Sequence, residues 1–457
     1  MVITRFAPSP TGNLHIGGAR TALFNFLFSK NQNGKFYLRI EDTDYERSKE
    51  EFLIQIKSTL KWLNIGWDGE PFIQSKSLNR HIDVANELLN KGHAYRCYCT
   101  EDELEEERKK ALEKKIPYIY NRKWRDRKDG NPSDTHVIRF KSKLEGKLSF
   151  DDLVQGKTEV NSLAVEDFII LRKDKKPTYN LSAAVDDYDM KVTHVIRGDD
   201  HKINTFKQIQ IFESLKWKIP FYAHIPLIHS EEGKKLSKRD YASTVDDYKK
   251  IGILPESLRN YLLRLGWSHK DKEIFSLKES IDLFNIKQIG RSPSKLDMQR
   301  IKSLNEYYIK HLSDDEISKN LFDYAKNFKL EISNDLKKTI EKSIPFLKNK
   351  AKTLEDIYNN SSYIHSFKPK IDFNKKIDSK IKEILVKVLS FIEKNNYDKE
   401  SYDNFLKKIT EDNKINFKDI GKPLRILMTG SEFGPSIHNI LESLGKTECV
   451  NRLKKIL

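Results

Sequence analysis

The first sixty residues fix the kind of sheet this chain can build. Residues 2–7 (VITRFA) form a short apolar run, and Pro8, Pro10 and Gly12 then break regular structure. Behind that turn, Ala19, Ala22, Leu23, Phe26 and Leu27 recur at helical spacing within ARTALFNFLFS. A second strand is expected over FYLRI (36–40) and another helix over 50–63. Strand, helix and strand in this order make a crossover, which lays the two strands parallel. Ligands of parallel sheets bind outside the carboxyl ends of the strands.

The rhythm breaks near Tyr95. A charged helix over 101–115, polar loops to about Asp134 and a strand over 136–140 (HVIRF) read as an insertion. Strand and helix signals resume at 192–198 (VTHVIRG), 204–215 and 221–228 (FYAHIPLI), the second half of the first domain. After about Tyr241 the chain is mainly helical. Within 379–392, Ile381, Ile384, Leu385, Val388 and Ile392 form a core-facing stripe, and NNSSYIHSFKPK (359–370) reads as a joint between helical modules.

Composition narrows the partners. Lys and Arg number 83 against 67 Asp and Glu, a net charge of +16 that favours a polyanion, nucleic acid first. The 24 Phe, 19 Tyr and 5 Trp exclude wholesale disorder. No apolar run reaches the roughly 18 residues of a membrane span. The start, MVITRFAPSP, lacks a signal-peptide core. Three Cys exclude a disulfide scaffold and fit a reducing cytoplasm.

Two elements suit phosphate. Pro8 to Gly18 (PSPTGNLHIGG) leads into a helix whose N-terminal N–H groups and partial positive charge favour an anion. Gly17 and Gly18 allow close approach, and His15, placed about one turn before the helix, supplies an imidazole donor. Later, KKLSKR (234–239) gathers four cations in six residues after a strand.

Together His15-Ile-Gly-Gly18 and Lys235-Leu-Ser-Lys238-Arg239 resemble the HIGH and KMSKS signatures of class I aminoacyl-tRNA synthetases. The surrounding residues are similar to the glutamyl-tRNA synthetases: RFAPSPTG from Arg5, Arg39-Ile-Glu41-Asp42-Thr43-Asp44, Tyr179-Asn180 after Pro177-Thr178, VIRGDDH ending at His201, LPESLRNYLLRLGWS from Leu254 and PLRILMTG ending at Gly430. The resemblance runs the full length of the chain.

It implies an α/β Rossmann-type catalytic domain (1–94 and 192–240), an inserted α+β acceptor-binding domain (95–191), a stem-contact domain (241–315) and two all-α anticodon-binding domains (316–368 and 369–457). It implies attachment of L-glutamate to tRNA(Glu) through a glutamyl-adenylate, with ATP and Mg²⁺ entering as a complex, by a cytoplasmic monomer with no membrane partner. In the family, positions matching Arg5, Glu41, Tyr179 and Arg197 bind glutamate, and those matching Ala7 and Ser9 lie in the substrate loop. Physical chemistry agrees: two guanidinium forks suit two carboxylates, and Glu41 suits the ammonium. Which Arg takes which carboxylate stays open. An amide in place of the side-chain carboxylate would leave one Arg charge unpaired in a dry pocket, at a cost of roughly 3–5 kcal/mol. His15, Gly17, Gly18, His201, Lys235 and Lys238 match phosphate and ATP positions, and the main chain at Leu227 and Ile228 matches the adenine border.

Lys348 and Lys350 fall where the family discriminates anticodons. The pattern often has Arg where this chain has Lys350, which leaves charging of tRNA(Gln) as an alternative reading. A catalytically silent, synthetase-like RNA-binding protein is the alternative of another class. Some family members bind a structural zinc through residues matching Cys97, Cys99, Trp124 and Asp126. Trp cannot ligate a metal, and neither His93 nor His136 has the family spacing, so no structural zinc is expected.

Overall fold

The computed structural model describes residues 1–44, 46–234, 243–370, 372–373, 377–432 and 434–457. It divides into two compact units, one of Met1–Asp247 with Arg259–Asp297 and one of Tyr248–Leu258 with Met298–Leu457. Among the described residues no helix is long and apolar enough to cross a membrane.

The first unit begins with β1 (Ile3–Phe6), α1 (Ile16–Asn31), β2 (Lys35–Ile40), α2 (Glu50–Trp62), β3 (Phe72–Ile73) and α3 (Leu78–Asn90). The crossovers do what the pattern requires: β1 pairs parallel with β2, and β2 with β3. Helix α1 starts three residues before its apolar stripe, and its Ala19, Ala22, Leu23, Phe24 and Leu27 are fully buried. The chain continues through β4 (Ala94–Cys97), α4 (Glu101–Glu113), β5 (Val137–Phe140), β6 (Lys147–Asp152), β7 (Gly156–Asn161), β8 (Ile169–Leu171) and α5 (Tyr179–Asp189). Then come β9 (His194–Gly198), α6 (Lys202–Ser214), β10 (Phe221–Ile225) and β11 (Ile228–His229).

Strands β4, β5 and β8 form an antiparallel sheet. Strands β1–β3, β6, β7, β9 and β10 make a larger design. β9 and β10 pair parallel, and β10 also pairs parallel with β6, which forms a hairpin with β7. Thr193 stitches β9 beside β1: its N–H donates to the Ile3 carbonyl at 2.9 Å, and its hydroxyl accepts from the Ile3 N–H at 2.8 Å. The Asn25 side chain on α1 donates to the Ile196 carbonyl at 2.9 Å, fastening the helix over the same seam. The spatial order is therefore β3-β2-β1-β9-β10-β6-β7. It reverses direction between β1 and β9, the place where a doubly wound sheet opens a crevice at its carboxyl end. Strands β6 and β7 lie in the stretch expected as an insertion, yet they complete this sheet.

Beyond β11 the order is α7 (Val245–Lys250), α8 (Pro255–Arg264), α9 (Leu277–Leu283), β12 (Ser294–Lys295) and α10 (Met298–His311). The helices α11 (Asp314–Asn327), α12 (Asn334–Leu347), α13 (Leu354–Asn360), α14 (Ser362–His365), α15 (Ser379–Lys394), α16 (Lys399–Asn413), α17 (Phe417–Thr429) and α18 (Ile437–Lys454) follow. Capping boxes set several starts: Ser313 with Glu316 opens α11, and Thr353 with Asp356 opens α13. Ile384, Leu385, Val388 and Ile392 of α15 face one core with Leu424, Leu427 and Ile440. A second core gathers Ile317, Leu321, Ile340, Ile344 and Ile357. Residues 359–370, expected as a joint, contain α14, whose Tyr363 and Ile364 are the last buried residues of that second core, and the first core takes up only from Phe373 onward. The apolar pair was hidden among polar neighbours.

Candidate active site

A cleft of about 540 Å³ opens at the carboxyl ends of β1 and β9. Residues distant in the chain meet there: Arg5, Ala7 and Ser9 from β1 and its loop, His15, Gly17 and Gly18 at the start of α1, Glu41 after β2, Tyr179 on α5, Arg197 on β9, then His201, Leu227 and Ile228. These are the sequence-derived candidates of the first unit that the structure describes. Lys235 and Lys238 lie outside the described residues.

His15 is not one turn before the helix. It is the N-cap of α1, and its Nδ1 accepts the Gly17 N–H at 3.1 Å. One orphan donor of the helix start is thereby satisfied, and the neutral ring carries its proton on Nε2. A side chain on Gly18 would press within 3.0 Å of Leu14 and 3.6 Å of Phe6, so glycine keeps this wall close-packed and flat.

The two arginines differ in their partners. Arg5 clasps Asp187 of α5 with two hydrogen bonds, Nε to Oδ1 at 2.8 Å and Nη2 to Oδ2 at 3.2 Å. Asp187 also accepts from Arg39 Nη1 at 2.6 Å, and Arg39 Nη2 donates to Glu41 at 3.1 Å. Arg39 is fully buried, so this carboxylate bridge lies in the dry base of the site. Burial works to raise the Asp187 pKa, but the charges and hydrogen bonds of Arg39 and Arg5 outweigh it and hold it at about 2. For Glu41 burial wins over Arg39 and Arg5, and its pKa is raised. Its backbone N–H donates to the Pro8 carbonyl at 3.0 Å, tying the acid to the substrate loop.

Arg197 has only neutral partners among the described residues. Its Nε donates to His224 at 3.3 Å, Nη1 to the Tyr179 hydroxyl at 3.2 Å and Nη2 to the Thr205 hydroxyl at 2.6 Å. One N–H on each terminal nitrogen remains, the fork that grips a carboxylate. His201 Nδ1 sits 3.2 Å from the same Tyr179 hydroxyl. Burial first, then the Arg197 charge, lower its pKa to about 4, so the ring is neutral at pH 7.

The sequence reading missed Arg39 and Asp187. Arg39 stood in a quoted motif but had no assigned role, and Asp187 had no local signal at all. Arg20 was missed too. It lines the cleft, donates to the Leu265 carbonyl at 2.8 Å and to that of Pro226, and burial lowers its pKa to about 10.

In the second unit Lys348 ion-pairs with Asp314 at 2.7 Å and donates to the Leu312 carbonyl at 3.0 Å, whereas Lys350 is exposed. The residues that match the zinc ligands of some family members are packed against one another. The Tyr120 hydroxyl lies 3.3 Å from the Cys97 sulfur and 3.6 Å from that of Cys99. Trp124 packs into the same small core, and burial pushes the Cys99 thiol up to about 11. Among the described residues no group of three or more His, Cys, Asp or Glu is placed to hold a metal ion.

The matched families agree with this geometry. A family model described as "tRNA synthetases class I (E and Q), catalytic domain" matches residues 1–303, and "Anticodon binding domain" matches 315–457. The chain is 56% identical over 460 residues to a glutamate–tRNA ligase of Pelagibacter ubique (strain HTCC1062), covering 99% of this chain and 98% of the relative. It is 44% identical over 466 residues to glutamate–tRNA ligase 2 of Rickettsia felis (strain ATCC VR-1525 / URRWXCal2), covering 100% and 99%. A crystal structure of a glutamate tRNA ligase from Elizabethkingia meningosepticum CCUG26117, in complex with its amino acid, superposes with a TM-score of 0.85 at 29% identity, covering 100% of this chain and 99% of that one.

The Asp187 bridge makes an acid-stability prediction. Its folded pKa of about 2 lies below the ordinary carboxylate value, so its stabilisation is complete above about pH 4 and is lost as pH falls from there toward 2. That contribution is about 2.4 kcal/mol. D187N should be less stable than the parent by about 3 kcal/mol or more at pH 6, and denaturant titrations at falling pH should show the gap shrinking. A gap that stays constant down to pH 3 would exclude an ionised Asp187 bridge.

Proposed function

The chain belongs to the bacterial-type glutamate–tRNA ligases of the class I tRNA synthetase family, and we infer from its cleft how its residues serve that reaction. It attaches L-glutamate to tRNA(Glu) in two steps. An oxygen of the glutamate α-carboxylate attacks the α-phosphate of ATP, forming glutamyl-adenylate and expelling pyrophosphate. The terminal adenosine hydroxyl of the tRNA then attacks the activated carbonyl, and AMP leaves with the electron pair of the acyl–oxygen bond. The first nucleophile is already ionised at pH 7, so the protein's task is alignment and charge neutralisation. ATP with Mg²⁺ is the substrate complex typical of the family.

One observation carries the assignment within the cleft: of the two arginines proposed for recognition, Arg5 is already paired with an acid and Arg197, among the described residues, is not. Arg197 therefore suits the side-chain carboxylate, the group that separates glutamate from glutamine. Arg5, whose Nη1 is uncommitted, suits the α-carboxylate side, and the second oxygen of Glu41 suits the ammonium. Ser9 and the Ala7 main chain border the amino acid. His15 Nε2–H and the Gly18 N–H suit the phosphates, with Gly17 holding the His15 ring in place. His201 stands at the junction of amino acid and nucleotide, and Leu227 and Ile228 border adenine. Lys238, with Lys235 beside it in sequence, is proposed to meet charge developing on pyrophosphate.

The stretch 95–191 is proposed to grip the acceptor end of the tRNA, and the helices after 315 to read the anticodon. Lys350, exposed and free of the clasp that occupies Lys348, is the better candidate for contact with the anticodon. We place the protein in the cytoplasm as a monomer.

The test of the reading is ATP–pyrophosphate exchange run with tRNA, followed by charging of separately purified glutamate and glutamine tRNAs with labelled glutamate. Charging of both would identify a non-discriminating enzyme. No exchange with either tRNA would favour a silent RNA-binding protein. R197A should raise the glutamate KM by about two decades or more, from roughly 3 kcal/mol of lost pairing, with ATP KM little changed. An unchanged glutamate KM removes Arg197 from the site.

For the Cys97–Cys99 region, hydroxyl and ring packing are proposed to replace a metal. Purified protein should carry no stoichiometric zinc, and a chelator should leave its Tm unchanged. One zinc per chain, lost in the C97S/C99S variant, would overturn this.

A further inference from the structure

Arg197 is aimed by neutral groups, and one of them is in turn aimed by an acid. Neighbouring strands set the three side by side. Arg197 on β9 pairs in register with His224 on β10, and β10 meets β6 where that strand ends in Asp152. Asp152 and His224 lie outside the cleft and are both buried.

Donor and acceptor roles along this line are forced. Asp152 Oδ1 accepts the Val154 N–H at 2.9 Å and the Gln155 N–H at 2.8 Å. Oδ2 accepts the His224 main-chain N–H at 3.0 Å and lies 2.6 Å from His224 Nδ1. The main-chain partners can only donate, so the carboxylate is an acceptor on all sides and the shared proton belongs to Nδ1. Burial opposes ionisation of Asp152, but these hydrogen bonds prevail and its pKa is lowered. At the far side of the ring, Nε2 faces Arg197 Nε at 3.3 Å and the Thr205 hydroxyl at 3.0 Å. A guanidinium N–H can only donate, so Nε2 must carry the lone pair. Burial, the largest influence on His224, lowers its pKa and agrees with a neutral ring.

We propose that Asp152 is a positioning residue for amino-acid recognition: it locks His224 as the Nδ1-protonated tautomer, whose Nε2 lone pair aims Arg197 at the cleft without neutralising it. A carboxylate in the place of His224 would orient the guanidinium equally well and cancel its charge. The imidazole moves the anion one side chain back, so the ligand's carboxylate becomes the counter-ion of Arg197. The proposal rests on the reading of Arg197 as a glutamate-binding residue.

The test begins with the parent enzyme. Absence of glutamate-dependent exchange in the presence of tRNA(Glu) sinks the site reading itself, before any variant is made. In an active parent, nitrogen-15 NMR of labelled histidine at pH 7.5 should show His224 protonated at Nδ1 alone. A ring protonated at Nε2, or at both nitrogens, overturns the proposal even if no variant folds.

D152N presents an amide N–H to Nδ1 and should drive the proton to Nε2, opposite the Arg197 N–H. Its glutamate KM should rise about ten- to a hundredfold, the scale of loss seen when the outer partner of a metal-held imidazole is removed. ATP KM should stay within about twofold. In H224Q the amide has no tautomer to set, so adding D152N there should change glutamate KM by less than about threefold. An unchanged glutamate KM in D152N, an equal rise in ATP KM, or additive effects in the double variant would each overturn the proposal.

Discussion

One carboxylate holds the catalytic cleft together. Asp187 joins Arg5 of β1, Arg39 of β2 and helix α5 in a region from which water is excluded. A buried ion group of this kind adds little net stability compared with apolar packing, because desolvation offsets most of the attraction. What it provides is geometry. Two guanidinium planes fix the Asp187 oxygens, and through Arg39 they also fix Glu41. The base of the cleft is thus a rigid frame in which charge is already balanced. Arg197, whose partners among the described residues are all neutral, stands out against it.

The sheet explains how side chains so far apart in sequence arrive together. Arg5 and Asp187 are separated by 182 residues, and Asp152 and His224 by 72. Parallel strands with long crossovers tolerate such spacing, because each strand needs only its neighbours' edges. The reversal of strand order between β1 and β9 leaves a gap at their carboxyl ends where no crossover helix covers the sheet. Long connections can therefore be inserted without disturbing the gap, and one of them returns the β6–β7 hairpin to the far side of the same sheet.

Local signals in the sequence reach as far as local physics does. The apolar period of residues 381–392 and the strand FYLRI depend on near neighbours, and both were legible. So was the gathering of Arg5, Glu41, Tyr179 and Arg197, because family motifs carried it. His15 was displaced by a turn because an imidazole acting as helix N-cap is outside the usual Ser, Thr, Asp and Asn signal. Asp187, Asp152 and His224 were silent, since nothing near them in the chain shows what lies across the sheet. Lys348 resembled any other lysine of a basic tail until its pairing with Asp314 was seen.

The Thr193 stitch between β1 and β9 spans 190 residues, and this has a consequence for synthesis. At about 5–20 residues per second, β1 leaves the ribosome roughly ten to forty seconds before its second neighbour exists. Through that interval one edge of β1 is an unpaired row of backbone donors and acceptors, the kind of edge that recruits other chains. The strand Ile3–Phe6 carries Arg5 at its centre, and Asp187 has yet to be made. A charge held mid-strand without its partner disfavours edge-to-edge association. In the nascent chain, Arg5 thus keeps a bare charge on that open edge until Asp187 arrives to pair with it.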